Sequence, residues 1–373
     1  MLRQFPSYPI AVLLLSLIGC KKPYEPPEIL SADNLLVVDG VINANPGGET
    51  SIILSRTRRL TDTMEFVAEA GARVSIESNH NENFLLNEKP EGKYTSNPLA
   101  LAAGKQYRLR IRTADGTEYE SEFVSLLQTP PIDSVTWNQD QHVFVYVNTH
   151  DPQNNTRYYR WDFVETWEYH SVYESILEFV NGQIVFRDPA NYVDRCYDSA
   201  AAPSILTSST VRLAEDIVKD FQINRIERNS DKISVRYSIL VKQYALTRKA
   251  FDYWQIVRKN AEDLGTLFDA QPAQLFGNIR NINNKNEPVI GYISGAAVQE
   301  KRIFIRRAQL EGEQNQPMCN EIFTTPAEAV SYLKDPNISP AYNTTGGGVV
   351  LAKTLCVDCR TKGGTTTKPL YWP

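Results

Sequence analysis

The chain has 373 residues, of which 39 are Lys or Arg and 44 are Asp or Glu, so its formal net charge at pH 7 is −5. This length is sufficient for two domains of ordinary size, each with its own core. The basic residues are dispersed along the chain, which excludes the electrostatic signature of a nucleic-acid-binding protein.

The first twenty residues have the pattern of an export signal. Arg3 gives a basic start, residues 10–18 form a short apolar run, and Gly19 precedes Cys20. Residues 1–19 resemble a bacterial lipoprotein signal peptide, which implies cleavage before Cys20, a lipid on its sulfur and a mature chain tethered to a membrane. The apolar run is shorter than the ~20 residues that span a membrane. An ordinary secretory signal with an incidental cysteine is the alternative.

Residues 20–31 are predicted to be a tether between the lipid and the first folded strand. Three prolines in this short stretch prevent a helix and favour extended backbone. Lys21 stands where lipoproteins retained in the inner membrane usually carry aspartate. We therefore expect an outer-membrane location, on either the periplasmic or the extracellular face.

The other four cysteines form an even set, which in an exported protein predicts two disulfides. They are Cys196, Cys319, Cys356 and Cys359. The C-x-x-C spacing of the last two has two alternative interpretations, a redox dithiol or half of a zinc site. The motif is followed by a loop rather than by the helix of redox proteins, and zinc ribbons use two such motifs whereas this chain has one. Spacing does not determine which cysteines pair.

Residues 32–128 are predicted to form an immunoglobulin-like or transthyretin-like β-sandwich. Apolar and polar residues alternate through about seven short strands that are separated by turn signals. The clearest hairpin joins residues 107–111 to residues 119–123 through an Asp-Gly pair at 115–116, which suits a turn with positive φ. The proline-containing segment 129–134 then marks a domain boundary.

Residues 132–373 are predicted to form a larger β-rich domain, also a sandwich, with an inserted helix and a cysteine-containing C-terminal tail. In the aromatic strand 158–167, Tyr159, Trp161 and Phe163 are expected to face the core, and the residues between them to face away. Further strands are expected on both sides of the helix.

The inserted helix is predicted over residues 247–264. Thr247 suits the N-cap, one face carries an apolar stripe, and Gly265 lies at the C′ position that favours glycine. Trp254 belongs to the stripe and is expected to be buried against the sheet of the second domain. A shorter helix is predicted to begin after Thr325, where a capping box coincides with proline at N1.

The chain ends in a run of apolar and aromatic residues. Trp372 lies next to the C-terminus, where disorder is expected unless contacts hold the chain. Residues 368–372 are therefore predicted to be a docking tail, with Tyr371 and Trp372 as candidate partner-binding residues. Disulfide bonds at the C-x-x-C motif would hold this tail against the body.

The sequence nominates no catalytic residue, metal site or cofactor site. The four histidines lack metal-ligand spacing, the serines lack a G-x-S-x-G motif, and the glycine-rich stretches lack the lysine of a P-loop. We therefore expect a protein that is not an enzyme and that has neither metal nor cofactor.

Six segments spread over most of the mature chain carry a resemblance to a known family. They are LVVDG at 36–40, RYSILVKQY at 236–244, FDAQP at 268–272, GNI at 277–279, VIGY at 289–292 and CVDCR at 356–360. They resemble the domain of unknown function 4249 family, lipoproteins of Bacteroidota-type bacteria. The resemblance implies an outer-membrane lipoprotein, often encoded beside a TonB-dependent receptor, with no established enzymatic activity.

We therefore expect a non-enzymatic lipoprotein that captures a ligand or binds a partner beside a TonB-dependent transporter, an outer-membrane β-barrel. A structural or assembly factor of an envelope complex is one alternative, and a hydrolase with a loop-built active site is another. A concave apolar cleft lined with tryptophan would favour ligand capture, and a flat apolar patch would favour assembly. Converging carboxylates or a metal in a cleft would favour the enzyme.

Overall fold

A computed structural model describes residues 34–58, 67–262, 277–312 and 318–373. Cys20, with the predicted signal peptide and tether, lies outside the described residues. The described part of the chain is mainly β, as predicted. Among these residues, no helix has the length and apolar character needed to cross a membrane.

The described residues form twenty-four strands and two α-helices. The strands are β1 (Leu36–Asn43), β2 (Ser51–Arg56), β3 (Arg73–Ser78), β4 (Asn83–Lys89), β5 (Lys93–Ser96), β6 (Gln106–Arg112), β7 (Glu118–Ser121), β8 (Val124–Leu127), β9 (Ile132–Gln139), β10 (Val143–Asp151), β11 (Tyr158–His170), β12 (Leu177–Val180), β13 (Gln183–Phe186), β14 (Arg195–Ala201), β15 (Leu206–Ser209), β16 (Asp216–Ile226), β17 (Arg236–Ala245), β18 (Ile279–Asn281), β19 (Ile290–Gly291), β20 (Ser294–Ala296), β21 (Gln299–Arg306), β22 (Ile322–Thr324), β23 (Ile338–Asn343) and β24 (Val349–Lys353). The long helix is Arg248–Glu262 and the short helix is Pro326–Tyr332.

Eight strands close into a barrel-like sheet in the order β6-β3-β4-β5-β2-β1-β20-β8, and β8 pairs with β6 to complete the ring. Alternate residues fill its interior, as in β1, where Leu36, Val38 and Ile42 are buried. The predicted β6–β7 hairpin is confirmed, with Gly116 at positive φ. The expected arrangement of two sandwiches is not confirmed, because the N-terminal strands form a closed sheet.

Closure of the barrel depends on strands from much later in the chain. β18 pairs with β7, β19 and β20 pair in parallel with β1, and β20 also pairs with β8. Gly291 permits the close approach of β19, because a Cβ at this position would clash with the backbone oxygen of Val38. The barrel therefore contains residues from both sides of the predicted boundary at 129–134.

Two further sheets pack face to face. One has the order β14-β11-β17-β21 with β15 beside β11, and the other has the order β16-β10-β9. Residues from both sheets build one core, in which Tyr159, Trp161 and Phe163 are buried. The predicted alternation along β11 is confirmed, so Arg160 and Asp162 lie on the outer face of the five-stranded sheet.

The remaining C-terminal elements form a small lobe. The sheet β22-β24-β23 shares a core with the short helix and the β12–β13 hairpin. The predicted capping box is confirmed, since Thr325 Oγ1 accepts a hydrogen bond from the N–H of Glu328 at 3.3 Å and the Glu328 side chain accepts one in return. The long helix begins after its predicted N-cap Thr247. Gly265 lies outside the described residues.

Both predicted disulfides are confirmed. They join Cys196 to Cys359 and Cys319 to Cys356, with Cα–Cα distances of 5.8 and 6.0 Å. The two cysteines of the C-x-x-C motif thus have different distant partners. Because all four sulfurs are paired in this way, the motif is neither a redox dithiol nor half of a zinc site.

Candidate functional site

A cleft of about 480 Å³ lies between the outer surface of the barrel and the outer face of the five-stranded sheet. On the barrel side, Asp39 of β1 pairs across the sheet with Ile53 of β2, which in turn pairs with Lys93 of β5. Directly paired residues present their side chains on the same face. These three residues therefore form one row along the barrel wall of the cleft.

The facing wall is built in the same way from β11, β17 and β21. Asp162 pairs with Lys242, which pairs with Glu300, and Arg160 pairs with Tyr244 in the adjacent row. All five residues line the cleft. Charged side chains at outward-facing positions of both sheets thus meet in one concave space.

Four of the charges on the sheet wall are paired with each other. Arg160 Nη2 donates to both carboxylate oxygens of Asp162 at 3.2 Å, and Lys242 Nζ lies 3.0 Å from Glu300 Oε1. Three further charged residues line the cleft and form no ion pair with any described residue: Asp39, Glu49 and Lys93. Within the described part of the chain, the cleft therefore presents two carboxylates and one ammonium group that have no ion-pair partner.

Asp39 is open to the cleft, yet its surroundings disfavour its charged form. Desolvation by the surrounding walls raises the pKa of its carboxyl group, and the nearby carboxylate of Asp162 adds to the rise. The Arg160 guanidinium acts in the opposite direction without reversing it. A cation that entered the cleft beside Asp39 would stabilise the carboxylate.

Arg160 connects the cleft to the long helix. It is 8% exposed, and its guanidinium lies 3.8 Å from the ring centroid of Trp254, which is itself buried. Its Nε is buried and has no hydrogen-bond partner among the described residues. Stacking on an aromatic face partly offsets the cost of burying such a cation. Burial also raises the pKa of Tyr253, which packs edge-on against Trp254, to about 12.

The predicted docking tail contacts its own chain, and none of its residues lines this cleft. Trp372 is 4% exposed, and its Nε1 donates a hydrogen bond to Glu168 Oε2 at 2.8 Å. Tyr371 is half-exposed, and its ring lies 3.7 Å below the guanidinium of Arg302. A partner that meets this tail would contact Tyr371, because the indole of Trp372 is inside the body.

The sequence predicted that Arg160 and Asp162 face outward. It did not predict that Asp39 and Lys93 line the same cleft. The available signal was a charged residue at an outward position of an otherwise apolar strand, as in LVVDG at 36–40. The described residues contain no group of three His, Cys, Asp or Glu side chains placed to hold a metal ion.

The sequence matches the family described as Domain of unknown function (DUF4249) over residues 21–302. No curated protein matches it. Among solved structures, the adhesin InvE of Yersinia pseudotuberculosis is 13% identical, with 57% of this chain and 56% of that chain covered and a TM-score of 0.15. The B and BSP domains of a biofilm associated protein are 6% and 8% identical. Each covers 74% of this chain, with 86% and 59% of those chains covered and TM-scores of 0.13 and 0.12. Scores this low do not establish a shared fold.

Proposed function

This chain belongs to the family described as Domain of unknown function (DUF4249), whose description assigns no activity, and we propose that it is a non-enzymatic binding protein held at the outer membrane by a lipid on Cys20. We base the binding function on one observation, the charged cleft between the barrel and the five-stranded sheet. Its volume of about 480 Å³ falls within the size range of small-molecule sites, roughly 300–1,000 Å³.

The free charges of the cleft define the proposed ligand as a small polar molecule that carries a cationic group. The cation would lie beside Asp39 and Glu49, where it would compensate two carboxylates that have no ion pair among the described residues. Lys93 offers a counter-charge for an anionic group, so zwitterions such as amino acids fit well. The lining is charged rather than apolar and contains no tryptophan, so the proposed ligand is polar rather than hydrophobic.

The hydrogen bonding of the cleft carboxylates favours a binding function over hydrolysis. Asp39 and Asp162 both line the cleft, which is the arrangement that would favour a hydrolase. Asp162, however, accepts two hydrogen bonds from Arg160 and is held in place by them. A carboxylate with its oxygens engaged in this way is poorly placed to exchange a proton with a substrate.

We further propose that the partner is an outer-membrane β-barrel of the TonB-dependent type, as the family resemblance implies. Exposed apolar side chains on the C-terminal lobe support a partner surface, since Phe186 of β13 is 75% exposed and Phe323 of β22 is 67% exposed. The β12–β13 hairpin and β22 share one small core, so both residues belong to the same lobe. Leu370 and Tyr371 add apolar surface on the tail.

Native mass spectrometry of the mature chain, purified in mild detergent, tests the binding proposal. We expect a co-purifying small polar ligand, or stabilisation by one member of a panel of free amino acids and polyamines. The double variant Asp39→Asn/Glu49→Gln should no longer bind this ligand. Asp140→Asn/Glu215→Gln removes the same charge from exposed positions outside the cleft and should retain it.

Equal binding by the two double variants would refute the assignment of the cleft. Turnover of any ligand that one carboxylate substitution abolishes would instead support the hydrolase alternative. The same purification tests the partner, because an outer-membrane β-barrel should be recovered with the tagged chain. Recovery of an envelope assembly complex without a transporter would favour the structural alternative.

A further inference from the structure

A second cleft, of about 390 Å³, lies where the start of the long helix meets β8 and β20 of the barrel. Its lining includes the apolar residues Phe123, which is 39% exposed, and Leu127. A neighbouring cleft of about 360 Å³ shares Leu127, Thr247 and Arg248 with it. The two clefts therefore adjoin at the helix N-terminus.

The first turn of the long helix carries charges that oppose its own dipole. A helix N-terminus has a partial positive charge, which acidic side chains normally stabilise. This first turn contains no acidic residue and begins with Arg248 and Lys249. Thr247 Oγ1 accepts a hydrogen bond from Ala250 N at 3.2 Å. The N–H groups of Arg248 and Lys249 have no partner among the described residues.

Ser294 contributes an unsatisfied hydroxyl group to the same cleft. The residue is 7% exposed, and its Oγ is buried with no hydrogen-bond partner in the described part of the chain. Buried hydroxyl groups almost always have a partner, because leaving one unpaired is costly. A ligand that accepts a hydrogen bond in this cleft would satisfy it.

We propose that this cleft binds an organic oxyanion, a carboxylate or a phosphate monoester, carried on a small apolar body. The helix N–H groups and the side chains of Arg248 and Lys249 would hold the oxyanion, and Ser294 Oγ would donate a hydrogen bond to it. The apolar body would lie against Phe123 and Leu127. Among the described residues, Glu122 is the acidic residue that lines the cleft, and Asp252 Oδ2 lies 3.7 Å from Arg248 Nε one turn along the helix, so Lys249 supplies the cation that has no ion pair. This site is separate from the charged cleft and does not depend on the function proposed for it.

Isothermal titration calorimetry on the folded mature chain tests the proposal with phenyl phosphate and benzoate as probes. At least one of them should bind, and its affinity should fall as the salt concentration rises. Inorganic phosphate lacks the apolar body and benzyl alcohol lacks the charge, so each should bind at least about tenfold more weakly, which corresponds to the loss of one charge-assisted hydrogen bond or of the apolar contact.

Three single variants locate the site. Lys249→Gln and Ser294→Ala should each lower the affinity for the probe by at least about fivefold. Lys259→Gln changes the same charge in the last turn of the same helix and should leave the affinity unchanged. Ser294→Ala should unfold at the same or a higher temperature than the parent chain, because it removes an unpaired hydroxyl. The exposed position of Lys249 keeps the test valid if Ser294→Ala fails to fold.

The proposal is overturned if the folded chain binds neither probe, or if Lys249→Gln binds as tightly as the parent chain. An equal loss of affinity in Lys259→Gln would also overturn it, because non-specific charge attraction would then account for the binding. Binding of inorganic phosphate as tight as that of phenyl phosphate would contradict the apolar body.

Discussion

Replacement of Trp254 by alanine should destabilise the protein and loosen the charged cleft together. The indole is 9% exposed and belongs to a cluster with Leu246, Ala250 and Tyr253 that holds the long helix in place. Truncation of a buried tryptophan to alanine costs about 3–5 kcal/mol through lost transfer energy and the cavity left behind. The guanidinium of Arg160 would also lose its stacking partner, which adds up to about 2 kcal/mol for a desolvated cation. The sum is comparable to the whole stability of many domains.

Urea unfolding followed by far-UV circular dichroism measures the effect. Trp254→Phe keeps an aromatic face for Arg160 and should cost roughly half as much as Trp254→Ala, within the range of smaller core truncations. Ile256→Ala, at an exposed position on the same helix, should cost less than about 1 kcal/mol. A double-mutant cycle with Arg160→Met isolates the stacking energy.

A cost below about 1 kcal/mol for Trp254→Ala would refute the core role of this residue. A fully stable variant that no longer recovers a partner would identify Trp254 as an interface anchor instead. A coupling energy near zero in the cycle with Arg160 would show that the stacking does not stabilise the cation. Another interaction would then have to account for the burial of Arg160.

The remaining predictions concern the anchor, the disulfides and the tail. Cys20→Ala should leave the precursor without lipid and outside the outer-membrane fraction; labelled lipid on the variant would contradict this. Thiol labelling of the denatured, unreduced mature chain should modify none of the other four cysteines. In the chain-entropy treatment the disulfides with sequence separations of 163 and 37 contribute about 5 and about 4 kcal/mol, so loss of the longer loop should lower the unfolding midpoint more. Deletion of residues 366–373 should weaken recovery of the outer-membrane partner while the barrel stays folded, as limited proteolysis would report. The hydrogen bond from His170, with that from Trp372, lowers the pKa of Glu168, so this carboxylate stabilises the fold above its unfolded pKa of about 4.3 and ceases to do so as pH falls through the lowered value. The difference in thermal midpoint between the parent chain and Glu168→Gln should therefore disappear at acidic pH; a constant difference would exclude the charge as its cause.

Local features of the fold could be predicted from the sequence because they depend on neighbouring residues. The Asp-Gly turn at 115–116, the capping box at Thr325 and the alternation along β11 each follow from a short stretch of chain. Even the disulfides could be predicted in number from an even count of cysteines. Their pairing could not, because it depends on which loops the fold brings within about 6 Å of each other.

The charged cleft required knowledge of register between distant strands. Asp39 and Lys93 lie on the same wall because each pairs with Ile53, and Arg160 meets them only because the two sheets pack together. The closed barrel-like sheet was not predicted for a related reason, since the short strands that close it carry too few residues for a periodic signal. β19 and β20 contain two and three residues.

The late arrival of β20 in the chain has a consequence for how the protein is made. Until residue 296 has emerged, β1 and β8 lack the partner that joins them, and the barrel remains an open sheet with two unpaired edges. The first unit to begin synthesis therefore stays incomplete until most of the chain has been made, and its folding is slowed by contacts between distant parts of the chain. A fragment that ends at residue 128 would carry the same open edges permanently, so we expect it to aggregate where the complete chain stays monodisperse.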